Sequence, residues 1–126
     1  YALGSKSRNL RWTRLYCVQS ADVSSDARLK RDIDDLDGAL IYKLRPRKYR
    51  LRGGDGKLCF GLVAQEVKAA LDEVGIKDAD LYGDENPESL SLVYEELIAP
   101  LIAAVKEQKA RIDSLETRLQ ALEARA

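Results

Sequence analysis

Ser25 and Lys30 are the residues through which this chain would do covalent chemistry. The sequence has 126 residues and no histidine. A Ser-His-Asp triad, a Cys-His pair and any histidine-containing zinc site are therefore excluded. A serine nucleophile must find another base, and the run Ser24-Ser25-Asp26-Ala27-Arg28-Leu29-Lys30 supplies one. A neutral lysine amine takes the proton of a serine hydroxyl once its pKa falls from about 10.4 towards roughly 7–8. Burial lowers it, as do nearby cations, and Arg28 and Arg31 flank Lys30. Serine and lysine five apart are common, so the spacing alone does not select this pair. Cys17 and Cys59 are too few for a metal cluster. They are expected as free, partly buried thiols rather than as a disulfide. No metal and no cofactor is expected.

The elements that must position these residues follow from periodicity. Residues 10–19 are rich in aromatic and β-prone types and predict one or two strands after the turn-like Gly4-Ser5-Lys6-Ser7. Ser20 to Ala27 reads as a loop. Ile33, Leu36, Leu40 and Leu44 stand at helical spacing, so a helix is predicted over Asp32 to Leu44, ended by Arg45-Pro46. Lys48 to Arg52 and Lys57 to Leu62 predict two strands joined by Gly53-Gly54-Asp55-Gly56. Val63, Val67, Ala70, Leu71 and Val74 share one face of a second helix, with Gly75 as its C-terminal stop. Residues 77–89 are acidic, contain Gly83, Asn86 and Pro87, and read as an exposed loop.

The last third carries a heptad pattern. With Ile98 at position a, the a and d positions are Tyr94, Ile98, Leu101, Val105, Gln108, Ile112, Leu115, Leu119 and Leu122. Such a stripe calls for a partner helix. Arg111 and Arg118 fall at g, and Glu116 and Glu123 at the following e, so a parallel, in-register pairing matches opposite charges. Gln108 in the seam is expected to fix register, without giving the number of strands. Pro100 lies near the helix start, where proline is tolerated.

Charge is balanced overall, with 21 basic and 21 acidic residues, but it is blocked along the chain. Residues 43–57 hold seven basic residues against Asp55, whereas residues 58–91 hold eight acidic against two basic. Lys43 to Arg52 has the density of a nucleic-acid site. The zero net charge favours instead a solvated strand whose cations meet the acidic blocks, so no nucleic-acid partner is expected. No apolar run approaches the ~18 residues of a membrane span, and no membrane is expected. The chain lacks methionine and starts at Tyr1, so it is expected to be a piece of a longer or processed product.

Three separated segments carry a family resemblance. Leu3-Gly4-Ser5, Arg11-Trp12 and Tyr16, then Ser25-Asp26-Ala27-Arg28-Leu29-Lys30 with Ile33, resemble the start of the C-terminal intramolecular chaperone domains of phage tail spikes and fibres. These are the self-cleaving S74 peptidase class, of the endosialidase type. Gly61-Leu62-Val63-Ala64-Gln65-Glu66-Val67 resembles the second motif of that family. Val93-Tyr94-Glu95-Glu96-Leu97 and Leu101 to Glu107 resemble its terminal helix.

The resemblance implies a homotrimer that brings three copies of an upstream fibre segment into register and then cuts itself off. Ser25 and Lys30 fall on the catalytic dyad. Asp26 and Arg28 match the same motif, and Gln65 and Glu66 the second; Arg28, Gln65 and Glu66 are candidates for supporting the site. Attack by the Ser25 hydroxyl on the Ser24 carbonyl closes a five-membered ring, whereas attack on its own carbonyl needs a strained four-membered one. Chemistry within one chain therefore favours the Ser24–Ser25 bond, while attack between subunits places the cut between Ser25 and Asp26. The expected fold is α+β, with small β-hairpins and helices in a compact domain, followed by a long C-terminal helix in a parallel trimeric coiled coil. Residues 1–24 are expected to end the upstream segment, 25–92 to form the chaperone domain and 93–126 the coil. The expected setting is the host cytoplasm during phage assembly, with the parent protein in the virion tail and the domain lost from the particle after cleavage. The alternative is a permanent trimeric cap without proteolysis.

Overall fold

A computed structural model describes residues 3–5 and 11–126. Lys6, Ser7 and Leu10, which belong to the expected first turn and strand, lie outside the described residues.

The predicted central helix forms as α1, Ala64–Glu73. Its inward face buries Val67, Ala70 and Leu71. Gly75 takes φ +76°, which a side chain would resist. There the Ile76 N–H reaches the Leu71 carbonyl at 2.9 Å and the Gly75 N–H reaches Asp72 at 3.1 Å. This paired closure satisfies carbonyls that the helix end would otherwise orphan, and Ile76 folds back onto the core.

The predicted hairpin is also present, shorter and displaced. β1 is Arg47–Tyr49 and β2 is Cys59–Gly61, antiparallel, with Arg47 opposite Gly61 and Tyr49 opposite Cys59. A second small pair, β3 at Tyr82–Gly83 and β4 at Ser91–Leu92, lies where the sequence read largely as loop. The Val93 N–H extends that pairing to the Leu81 carbonyl at 2.8 Å.

Two expectations are corrected. No helix spans residues 32–44; a single 3-10 turn, Ile41–Lys43, is all that forms. Asp32 has φ +54°, and the Asp37 carboxylate accepts the Ala39 N–H at 3.0 Å. Aspartates bond to nearby backbone in this way and compete with helix. Gly38, in the middle of the predicted helix, adds a further cost. Residues 11–19 form no strand among the described residues, having no neighbouring strand to pair with.

The long helix begins as a 3-10 turn, Tyr94–Leu97, and continues as α2, Ile98–Glu123. At 1.5 Å per residue α2 is about 39 Å long. Pro100 sits in its first turn, where its missing N–H costs nothing.

The core is small. Leu40, Val67, Ala70, Leu71, Leu81 and Leu97 are buried together, with Leu44, Leu62, Val74, Ile76 and Leu92 packed around them. Past its start, α2 is clamped to this body by a loop. Gly38 lies against Ala104, so close that a Cβ on Gly38 would meet the Ala104 Cα at 2.6 Å. The Gly38 N–H donates to Glu107 Oε1 at 2.8 Å, and the Tyr42 hydroxyl to Glu107 Oε2 at 2.9 Å. Gln108, the polar residue of the heptad stripe, donates to the Tyr42 hydroxyl at 3.3 Å. Beyond this clamp, Ile112, Leu115, Leu119 and Leu122 are all exposed, between 45% and 61%. Ile98, Leu101 and Val105, nearer the body, are exposed as well.

Candidate functional site

The two residues expected to form the dyad meet. Lys30 Nζ donates to Ser25 Oγ at 2.6 Å. A 3-10 turn at Ala27–Leu29 makes this geometry. The Leu29 N–H reaches the Asp26 carbonyl, and the Lys30 N–H reaches the Ala27 carbonyl, each at 3.1 Å. The tight turn folds the chain so that a lysine five residues on reaches back to the serine.

Asp26 starts the turn. Its Oδ1 accepts the Arg28 backbone N–H at 2.8 Å, the cap that a 3-10 or α-helical start needs. Arg28 also grips the same carboxylate through its side chain. Nε lies 3.1 Å from Oδ1 and Nη2 2.7 Å from Oδ2, a two-pronged pairing. This contact holds the Asp26 carboxyl below its ordinary range and the Arg28 guanidinium above its own. The whole turn is exposed, as is every described residue from 11 to 37.

Gln65 and Glu66 stand elsewhere, on the first turn of α1. Glu66 takes a forked pairing from Arg47 on β1, with Nε at 3.0 Å from Oε1 and Nη2 at 3.0 Å from Oε2. Arg45 adds a contact at 4.0 Å. The bond from Arg47 is the main reason that the Glu66 carboxyl is held below its ordinary range. Glu66 therefore locks α1 to the hairpin, and its partners do not include Ser25 or Lys30. Gln65 lines a small depression with Leu62, Leu90, Leu92 and Tyr94.

Gly61 has a steric role in the same motif. A Cβ there would meet the Tyr94 hydroxyl at 2.6 Å and the Tyr49 hydroxyl at 3.2 Å. Its absence lets Tyr94 bind both backbone groups of Leu62, accepting from the N–H at 2.9 Å and donating to the carbonyl at 3.2 Å. Burial, and then Tyr94, push the Tyr49 phenol up. Gly61, Leu62, Glu66 and Val67 thus form one joint between the hairpin, α1 and the start of the long helix.

The family model described as Chaperone of endosialidase, Peptidase S74, matches residues 25–76. The match to the S74 chaperones is thereby shown for this span. It starts on the dyad serine and runs through the hairpin and α1 to Ile76, the residue that closes the α1 cap. The match covers the Ser25 to Ile33 part of the first resembling segment and all of the second, not Leu3 to Tyr16 or the third, and it supports a chaperone role. No curated protein matches the chain. The S74 span contains the dyad, the Asp26–Arg28 pair and the Gly61 joint; α2 lies beyond it.

A groove of about 830 Å³ opens between β1, β2 and the start of α2, lined by Leu44, Pro46, Phe60, Leu62, Tyr94 and Leu101 among others. None of the dyad residues lines it. The basic run 43–52 largely meets acceptors of its own chain: Lys43 pairs with Glu73 at 2.9 Å, Arg45 and Arg47 with Glu66, and Arg50 with the Gly56 carbonyl. Both cysteines are free, as expected, but Cys17 is exposed rather than partly buried.

Proposed function

We propose that this chain is an intramolecular chaperone that trimerises an upstream fibre or spike segment and then releases itself by autoproteolysis beside Ser25. The observation that carries this reading is the 2.6 Å contact from Lys30 Nζ to Ser25 Oγ, at the start of a span matched to a family of chaperones and peptidases. In the proposed division, residues 1–24 end the client, 25–92 are the chaperone and 93–126 the coil.

The neutral Lys30 amine takes the Ser25 hydroxyl proton while Oγ attacks the neighbouring carbonyl carbon. The peptide C–N bond breaks, and the Lys30 ammonium returns the proton to the leaving nitrogen. An ester remains on Ser25, and water hydrolyses it to a carboxylate and the free hydroxyl. The charge state this requires is favoured by desolvation. The turn is open to solvent in one chain, so in this reading neighbouring copies of the trimer supply the cover.

The exposed apolar stripe of α2 supports association. Fibres built from non-local pairings assemble slowly and are prone to misregister. A helical trimer at one end raises the local concentration of the segments before it. Cleavage then removes the nucleus that refolding would need, which leaves the fibre kinetically stable. The setting proposed is the host cytoplasm during virion assembly.

The second reading, a permanent trimeric cap, is favoured by the solvent exposure of the dyad. Intact mass spectrometry of the full-length polypeptide separates the two. Wild type is expected to yield two products whose masses identify the bond cut, Ser24–Ser25 or Ser25–Asp26, while Ser25→Ala stays whole. A wild-type chain that remains whole and trimeric would favour the cap. A Lys30→Ala variant that cleaves as fast as the parent would remove Lys30 from the mechanism. Sedimentation as a monomer at micromolar concentration would sink both readings.

A further inference from the structure

On an α-helix, carboxylate and ammonium four residues apart commonly pair. This chain shows the outcome elsewhere. Lys68 donates to Asp72 at 2.6 Å, and Lys109 donates to Asp113 at 2.6 Å. The bond to Asp72 raises the Lys68 pKa. Lys30 does otherwise: it extends to Ser25, the residue next to Asp26, and has no carboxylate within ion-pair distance among the described residues. Those two pairs lie within α-helices, whereas Asp26 and Lys30, also four apart, flank a short 3-10 turn, and there Arg28 holds the carboxylate. Both Asp26 oxygens are already taken, Oδ1 by the Arg28 backbone N–H and Nε, Oδ2 by Nη2 at 2.7 Å and Nε at 3.2 Å.

We propose that Arg28 is a positioning residue that occupies the Asp26 carboxylate and so reserves the Lys30 amine for Ser25. The inference rests on the dyad reading above and deepens it. A carboxylate beside Lys30 would hold it as the ammonium, the form that cannot accept the serine proton. Asp26 is still needed, because its oxygen caps the turn that brings Lys30 round. Arg28 thus separates two roles of one acid: the cap is kept and the competing ion pair is blocked. The charged residues that follow Lys30 in the chain are Arg31 and Asp32, which lie 3.8 Å from each other. Among the described residues no other element packs on this turn, since its residues are all exposed.

The test is a rescue. Arg28→Gln frees the carboxylate, and self-cleavage of the full-length polypeptide at pH 7 is expected to slow about fivefold, the upper end for an exposed ion pair. Its pH–rate profile is expected to move to higher pH. Adding Asp26→Asn removes the charge but keeps a capping oxygen, and should restore both rate and profile. A loss that Asp26→Asn does not rescue, or an Arg28→Gln variant that cleaves like the parent, overturns the inference. A second readout needs no activity. In a Ser25→Ala background, the 13Cε signal of Lys30 is followed through a pH titration with and without Arg28→Gln. The midpoint is expected to rise with Arg28→Gln; an unchanged curve overturns the inference. A parent that never cleaves sinks the peptidase reading, while the titration still decides the role of Arg28.

Discussion

Gly38→Ala is expected to be far more damaging than a loop glycine substitution usually is. The added methyl group would stand 2.6 Å from the Ala104 Cα, 2.8 Å from its Cβ and 2.8 Å from its backbone N. Two of those three atoms are helix backbone and cannot swing aside. The loop must lift off α2, and overpacking of this kind costs about 1–3 kcal/mol. Lifting also lengthens the bonds from the Gly38 N–H and the Tyr42 hydroxyl to Glu107, now 2.8 and 2.9 Å. At about 1 kcal/mol each, given their partial exposure, the total comes to about 3–5 kcal/mol. The assay is urea unfolding of Gly38→Ala beside the parent at one fixed protomer concentration, because association shifts apparent stability. Ala104→Gly added to Gly38→Ala removes only the Cβ contact, so it should recover part of the loss and leave the backbone contacts in place. A loss below about 0.5 kcal/mol, or full recovery by Ala104→Gly, would refute the reasoning that the backbone approach is what matters.

Two further outcomes follow from the joint at Gly61. Tyr94→Phe removes the hydroxyl that holds Leu62 and is expected to cost about 1 kcal/mol in urea unfolding, with no change in helix content by circular dichroism. Glu66 has its carboxyl pKa depressed in the folded chain, chiefly by the bond from Arg47. Its stabilising contribution is therefore present above the unfolded value of about 4.3 and is lost as pH falls through the folded value. Glu66→Gln should flatten the acid side of the stability–pH curve while leaving any self-cleavage rate per folded molecule unchanged.

The parts that were legible in the sequence are those with redundant signals. α1 has an apolar face and a glycine stop. The hairpin has a glycine-rich turn between β-prone runs, and α2 has its repeat. The predicted helix at 32–44 failed although its apolar spacing and the Arg45-Pro46 stop agreed. Leu40 is buried there and Leu44 partly so, but Ile33 and Leu36 are exposed. Aspartate–backbone bonding and the close seat of Gly38 on Ala104 outweigh the pattern. The strands at 82–83 and 91–92 were missed because each pairs only two residues and their surroundings are rich in Asp, Gly and Pro. At the site, spacing could not single out Ser25 and Lys30; the motif resemblance did. The role of Arg28 needed coordinates, since it depends on which of two partners each side chain holds. Gln108 was read as a seam residue only, and its bond to Tyr42 depends on a loop contact that no local pattern reveals.

The clamp on α2 also sets a clock. Its bonds join residues 62 to 69 positions apart in the chain, with the Gly38 side made first and the Ala104 to Gln108 side made later. At ribosomal speeds of about 5–20 residues per second, that gap is about 3 to 14 seconds. During this interval Gly38 has emerged with nothing to dock on, and the dyad turn just before it hangs from an unanchored loop. Ser25 of each nascent chain is thus translated well before the clamp that follows it can close.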